Sequence, residues 1–421
     1  MASPQAKPTL LVSFAMRLFI AILLGFAGIL VAADKPAFRT DAEGPAALKV
    51  ERDGKPLKWF QPVDGEFPPD GSAHAISGEL IRVDHLERRL KLRVDRNDSQ
   101  DASLLDLPLD ATLLPYGSIW YHGAPATLQD IPLGTHLHGL FFLAKPGDKT
   151  PLSETPYGRK TPDWEFRRCF RIEDDFTFHA RQKQLWKIES VDLKTAKLTA
   201  TLMADGKAVG KGKPAIFDLL SSTRVFQGNS FTDLKALQPG QNVLLNLTWA
   251  TLYGPGRITR VWIDETSRAL ATQAQLETHR DYLRVHGFPG WIQAVDDRTQ
   301  AVTLALFGGI DVKLFDELTL IDEKPFGWPL SKPEDNPKAP KGTIAVARDS
   351  LMTYDPTNDR KGGNILDIKK GPLEPGSSGV QVKVKCDMLL EGYRPRRVVR
   401  FYPATWKVIT LPLEEQFDGP E

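Results

Sequence analysis

The chain has 421 residues, a length that accommodates about three domains. Hydrophobic residues make up 41% and charged residues 25%, which excludes wholesale disorder, while 33 glycines and 32 prolines favour turns over long helices. Lys plus Arg number 54 against 53 Asp plus Glu, a balance that argues against a protein built to hold nucleic acid or to coat an anionic membrane.

At the N-terminus, Arg17 precedes an unbroken apolar run from Leu18 to Val31. The run suits the apolar region of a signal peptide and falls short of the ~20 residues of a membrane span. Small residues at Val31, Ala32 and Ala33 place cleavage before Asp34, so residues 1–33 read as a signal peptide and the mature chain as exported, to the periplasm, cell surface or medium. Met16 is an alternative start, and an uncleaved anchor shares the pattern. No later segment approaches ~18 uninterrupted apolar residues, so no transmembrane span is expected after cleavage. An N-terminal extension, 34–74, follows.

Three segments then begin alike: Leu80-Ile81-Arg82-Val83-Asp84, Ile188-Glu189-Ser190-Val191-Asp192 and Ile292-Gln293-Ala294-Val295-Asp296. In each, a polar stretch follows the aspartate and alternation resumes at Leu90, Leu198 and Val302, which predicts a β-hairpin. A second pattern, Leu-x5-Gly before another alternating strand, occurs at Leu128–Gly134, Leu234–Gly240 and Leu373–Gly379. The first two units match in length. The third carries an insertion of about 35 residues, for which the Pro-rich stretch at about 323–342 is the candidate. About five short strands per unit close most simply as a small barrel without free edges. The fold class expected is mainly β, with three consecutive small OB-like β-barrel units and short connecting helices. Unit one spans 75–160. A helical connector and unit two span 161–264, and a second connector, unit three and the C-terminal tail span 265–421.

Helices are expected in the connectors. Asp264 caps one over Glu265–His286, closed by Gly287, with Leu270, Ala274, Tyr282 and Leu283 partly on one face. Thr161-Pro162 opens another, with Phe166, Cys169 and Phe170 at helical spacing, and Asp174 or Asp175 starts a short turn through Phe178 to Arg181. Val380, Val382, Val384, Cys386 and Met388 share one parity, which puts Cys386 on the apolar face of a strand. Spacing does not fix a Cys169–Cys386 disulfide and does not support a two-cysteine metal site.

The runs Arg168–Phe176, Tyr354–Asn364 and Gly392–Arg397 resemble those of exported proteins of unknown function from planctomycete bacteria, and the hairpin-plus-Leu-x5-Gly units are similar to small exported β-barrel domains. The resemblance would cover most of the mature chain. It implies localisation and architecture and supplies no catalytic residue.

The candidate metal ligands are His136 and His138, which share one side of a strand, with His122 from the preceding loop as a third. Aligning the glycines puts Asn242 and Gln381 opposite His136, and Leu244 and Lys383 opposite His138, a mostly polar set that points to a solvent-facing side. Trp120 and Tyr121, in the same loop, are the candidate ligand-binding aromatics, with packing over the barrel as the alternative. Tyr354–Asp367 lacks the spacing of a calcium loop and reads as a surface turn, and Arg394, Arg396, Arg397 and Arg400 read as a solvated basic face or as intramolecular ion pairs, with contact to an acidic polymer as the alternative. Asn97-Asp98-Ser99 and Asn246-Leu247-Thr248 are glycosylation sequons, the second inside an expected strand. There is no Gly-x-Ser-x-Gly elbow, His-Glu-x-x-His helix or phosphate-binding Walker loop. The sequence thus points to a non-enzymatic binding or scaffold protein of the envelope or extracellular space, with no cofactor. An envelope protein or polysaccharide is the expected partner, and nucleic acid is not. The alternative is an envelope hydrolase or metal-dependent enzyme using His122, His136 and His138.

Overall fold

The computed structural model describes residues 51–52, 55–56, 60–95, 108–145, 166–209, 212–248, 256–318, 341–348, 350–353, 360–406 and 411–416. All lie in the second of two compact units, Phe38–Glu421. The leader, the Thr161-Pro162 helix start, most of the Pro-rich insertion, the Asn97 sequon and residues 354–359 fall outside the described residues.

The fold is mainly β, with three closed barrels. The first comprises β1 (His74–Asp84), β2 (Arg89–Val94), β3 (Pro108–Tyr121), β4 (His136–Phe142) and β5 (Arg168–Asp174). Its ring runs β1-β2-β3-β5-β4 and back to β1, with β3 and β5 parallel and the other pairs antiparallel. Five strands thus close into a small barrel with no free edge in the ring. The second repeats it with β6 (Gln184–Asp192), β7 (Lys197–Ala204), β8 (Ala215–Gln227), β9 (Asn242–Thr248) and β10 (Arg257–Trp262), again with the third and fifth strands parallel. Each barrel has its own core, with Leu80, Leu92, Leu137 and Phe141 central in the first and Ile188, Leu198, Val243 and Val261 in the second.

The repeated Val-Asp motif acts through its aspartate. Asp84, Asp192 and Asp296 each accept a hydrogen bond from a backbone N–H two or three residues on: Glu87, Lys194 and Arg298. Four residues after each aspartate, Arg88, Ala196 and Gln300 turn left-handed, with φ of 50°, 53° and 54°. Their carbonyls then accept from Leu113, Leu219 and Cys386. The three hairpins therefore share one backbone turn, and Cys386 sits on the third strand of its barrel.

The third barrel comprises β11 (Phe288–Asp296), β12 (Ala301–Phe307), β13 (Lys341–Val346), β14 (Arg360–Lys370), β15 (Ser377–Cys386) and β16 (Val398–Pro403). Its ring is β11-β12-β15-β14-β13-β16 and all its pairs are antiparallel. This corrects the expected third copy of Leu-x5-Gly. Leu373–Gly379 leads into β15, which pairs with β12 as a third strand does, and Leu373 is exposed. The fourth strand is β16, preceded by Leu390 and Arg396. In units one and two the N–H of Gly134 and Gly240 donates to Leu80 and Ile188. In unit three the N–H of Arg396 donates to Ile292, and Arg396 has φ 71°. The β13–β14 hairpin, inserted before the third strand, takes the place of the parallel fifth strand.

The connectors also differ in part from expectation. Residues 168–174 are strand β5, which belongs to barrel one, so the expected helix through Cys169 and Phe170 does not form there. Helix α1 (Asp175–Arg181) follows without a gap, capped by Asp174 through the Thr177 N–H. Helix α2 (Glu265–His286) has the expected bounds, with Asp264 accepting from the Ser267 N–H and Gly287 at φ 76° closing it. Its buried face is Ser267, Gln275, His279, Leu283 and His286, whereas Leu270 is exposed. This face is mostly polar because it docks on the turn region of barrel one, where Thr272 donates to the His122 carbonyl and Gln275 to Asp130.

Barrel one meets barrel three through Leu114, Tyr116 and Phe142 against Trp291, Phe307 and Val398. A smaller apolar cluster joins Phe176 of α1 to Leu244 and Trp262 of barrel two. Cys169 and Cys386 are free and buried, in barrels one and three, and Cys386 is on the apolar face as expected.

Candidate functional site

Strand alternation carries His136 and His138 to the same side of β4, as expected from their spacing. That side is not solvent-facing, since His136 is 4% exposed. The carboxylate of Asp175, first residue of α1, lies between them: Oδ1 is 2.7 Å from His136 Nδ1 and 3.0 Å from His138 Nε2. Asp95, just after β2, lies on the far side of His136, with Oδ2 2.8 Å from Nε2. Carboxylate oxygens only accept at these distances, so both His136 nitrogens carry protons. Burial disfavours the imidazolium, but the flanking Asp175 and Asp95 more than offset it and raise the His136 pKa well above its ordinary value. Despite its burial, Asp175 is held far below the ordinary carboxylate range by His136 and His138.

The neighbouring aspartate faces the other way. Asp174 ends β5 and its side chain turns back to accept from Thr177 N–H and Oγ1, from the His122 N–H and from Asn246 Nδ2 of β9. Burial raises its pKa to about 6 even against these bonds. Asn246 Oδ1 accepts from the Phe176 N–H, and the Leu247 N–H donates to Asp175 Oδ2. Thr248 donates to Glu79 of β1, which also pairs with Arg93 at 3.1 Å. The cluster therefore spans the seam between barrel one, α1 and barrel two. Asn246 is 2% exposed with its amide spent inside, so this sequon is no glycan acceptor in the folded chain.

His122 lies elsewhere. The expected loop is an extension of β3 that turns back into a two-residue strand, Ala124–Pro125. His122 and Gly123 are the two central residues of the turn, with φ of 50° and 81°, the pattern of a type I′ hairpin. The His122 ring stacks on Tyr121 at 3.8 Å and meets Trp262 edge-on, and its Nε2 accepts from Arg260 Nη1 at 3.1 Å. Burial and the Arg260 charge lower its pKa to about 3, so it stays neutral. Asp175 is the third member of the histidine group where His122 was expected. Trp120 and Tyr121 belong to strand β3. Trp120 donates to Ser118 and lies under the Arg171 guanidinium at 5.2 Å, while Tyr121 is buried with its hydroxyl accepting from Arg260. Neither forms an open stacking platform.

Among the described residues, His136, His138 and Asp175 offer ligand atoms that all lie within 4.8 Å of one another. Three such donors suit a borderline divalent ion such as zinc. A metal would have to displace the His136 proton, because ion and proton compete for one lone pair. The residues missed in sequence were Asp95, Asp174, Asp175 and Asn246. The Asp174-Asp175 pair was visible, but its two side chains acquire opposite roles only because the strand ends and the helix starts between them.

The equivalent positions in the other units follow from Gly134, Gly240 and Arg396. Asn242 and Val398 match His136, and Leu244 and Arg400 match His138; Gln381 and Lys383 belong to the third strand. The outer side of every fourth strand is thus a joint: His136 and His138 on α1, Leu244 on Phe176, and Val398 on the barrel-one cluster. Comparison with family models, with curated proteins and with solved structures finds no match to the chain.

Proposed function

We propose that the chain is an exported, non-enzymatic binding or scaffold protein of the cell envelope or extracellular space. The observation that carries this reading is the use made of the histidine–aspartate cluster. Both His136 nitrogens, both Asp175 oxygens and the Asn246 amide are engaged with one another across the barrel-one/barrel-two seam. Groups spent in this way fix one barrel against the next. Together with the Tyr116–Trp291–Phe307 joint they hold three barrels as a platform whose outer strands and loops are available to a partner. The export part of the reading rests on the Leu18–Val31 segment.

The test is binding of the purified chain to isolated envelope polysaccharide and to envelope protein fractions, with hydrolysis of ester, phosphoester and peptide substrates followed in parallel. Saturable binding without turnover supports the reading. Turnover that disappears in Asp175→Asn overturns it.

The clustering of His136, His138 and Asp175 favours one second reading, a metal-dependent hydrolase. It requires one equivalent of metal retained through gel filtration and lost in His138→Ala.

A further inference from the structure

Away from the histidine–aspartate seam, a cleft of about 110 Å³ opens between barrel one, helix α2 and barrel three. That is several times what one water needs. Two guanidinium groups line it. Arg88 comes from the left-handed position of the first hairpin, and its Nη atoms donate to the carbonyls of Leu114, Pro115 and Gly117 at 3.0–3.2 Å. Arg400 comes from β16, is 5% exposed, and donates to the carbonyls of Leu351 and His286. Among the described residues, each of these acceptors is a neutral backbone oxygen. Neither arginine has a carboxylate partner among the described residues, although a desolvated cation is costly without a counter-charge.

Carboxylates are close by, but each is committed elsewhere. Glu415, on the cleft wall, accepts from His286 Nε2 at 2.8 Å. Asp311 pairs with Arg280, and Asp130 accepts from Thr127 and Gln275. Two further polar side chains on the cleft wall are buried and lack any partner. His279, 4% exposed, leaves both ring nitrogens unsatisfied, and Ser350, 7% exposed, leaves its hydroxyl unsatisfied. Buried polar groups are seldom left without partners, and here two of them line the same cleft as two uncompensated cations.

We infer that this cleft binds a small anion, the carboxylate or phosphate group of a low-molecular-weight ligand, with Arg88 and Arg400 supplying charge and His279 and Ser350 supplying hydrogen bonds. Burial lowers the Arg88 pKa to about 10, with Arg400 adding to the effect, so the group stays charged at neutral pH while remaining poorly solvated. An anion is what both guanidinium groups lack. Phe307 and Tyr282 on the same wall set an apolar limit on the ligand body. The polar groups of the site stand independently of the scaffold reading, because none of them belongs to the histidine–aspartate seam or to the Tyr116–Trp291–Phe307 joint.

The test is titration of the purified full chain with sodium phosphate and, separately, with sodium acetate at constant ionic strength, followed by calorimetry and by the His279 ring resonances in NMR. Saturable binding of either anion, with His279 shifted, is expected. Phosphate alone assigns a tetrahedral oxyanion, acetate alone a carboxylate, and both assign recognition of the shared charge. Ser350→Ala and His279→Phe are each expected to weaken binding by about tenfold, the loss of one hydrogen bond to a charged group, with the melting temperature retained. Ser350→Ala removes only an unpartnered hydroxyl, so it remains informative if the larger ring disturbs folding. No saturable binding of either anion, or binding that Ser350→Ala and His279→Phe both leave unchanged, overturns the inference.

Discussion

Arg396 occupies in the third barrel the backbone position that Gly134 fills in the first: both have positive φ, and both donate to the carbonyl of the residue that opens the repeated hairpin motif. The stem of Arg396 lies against Gly65, where any larger residue would collide with it. The same position in barrel two, Gly240, has φ 89° and open space where a side chain would begin. Gly240→Ala therefore isolates the backbone term. It is expected to cost about 1–2 kcal/mol, the penalty of a left-handed L-residue, read as a lower urea midpoint at unchanged slope. An unchanged midpoint would show that the turn can relax.

Asp175→Asn keeps the shape of the seam and removes the charge between His136 and His138. A broken buried pair costs about 3–5 kcal/mol, and that loss is expected in urea unfolding. Leu270→Ala, on the exposed side of α2, serves as the control and is expected to stay within about 0.5 kcal/mol of the parent. Equal effects from the two substitutions would remove the seam from the account of stability.

The two histidines at the ends of β3 and β4 titrate in opposite senses. His136 has a raised pKa, so its stabilising contribution is complete below the unfolded value of ~6.5 and is lost as pH rises through the folded value. His122 is lowered to about 3, so its contribution is present above ~6.5 and is lost as pH falls toward about 3. Ring-nitrogen NMR is expected to show doubly protonated His136 at about pH 8 and neutral His122 at about pH 5. A neutral His136 at the higher pH would mean that the flanking carboxylates do not hold its proton.

Burial raises the pKa of both thiols, Cys386 to about 12, and keeps both from reagents. Alkylation of the native chain is expected to leave Cys169 and Cys386 unmodified, and unfolding without a reductant to expose both at once. Labelling of neither in the unfolded chain would reveal a disulfide.

The hairpins were legible because an aspartate, a polar turn and two alternating runs leave little else for the chain to do. So was α2, whose cap and closing glycine are strong local signals. The fourth strand of the third unit was hidden because its left-handed residue is an arginine, while Gly379 offered a decoy six residues after Leu373. The Cys169–Phe170 segment was misread because Phe166, Cys169 and Phe170 fall at helical spacing, yet the strand they enter is set by pairing with β3 and β4, partners distant in sequence. His136 and His138 could be paired from strand alternation alone. Their aspartates could not, because Asp95 and Asp175 reach them only after the barrel closes.

The exchange of a parallel fifth strand for an inserted hairpin also sets an order of events. Barrel one is complete once β5 has emerged, and its first and fourth strands meet at His74 and Phe141. Barrel three cannot close until Phe288 finds Phe401, 113 residues on against 67 in barrel one. Pairings of long range form slowly. The last barrel made is therefore also the slowest to finish, and during that interval its apolar strands depend on the two completed barrels, or on a chaperone, for cover.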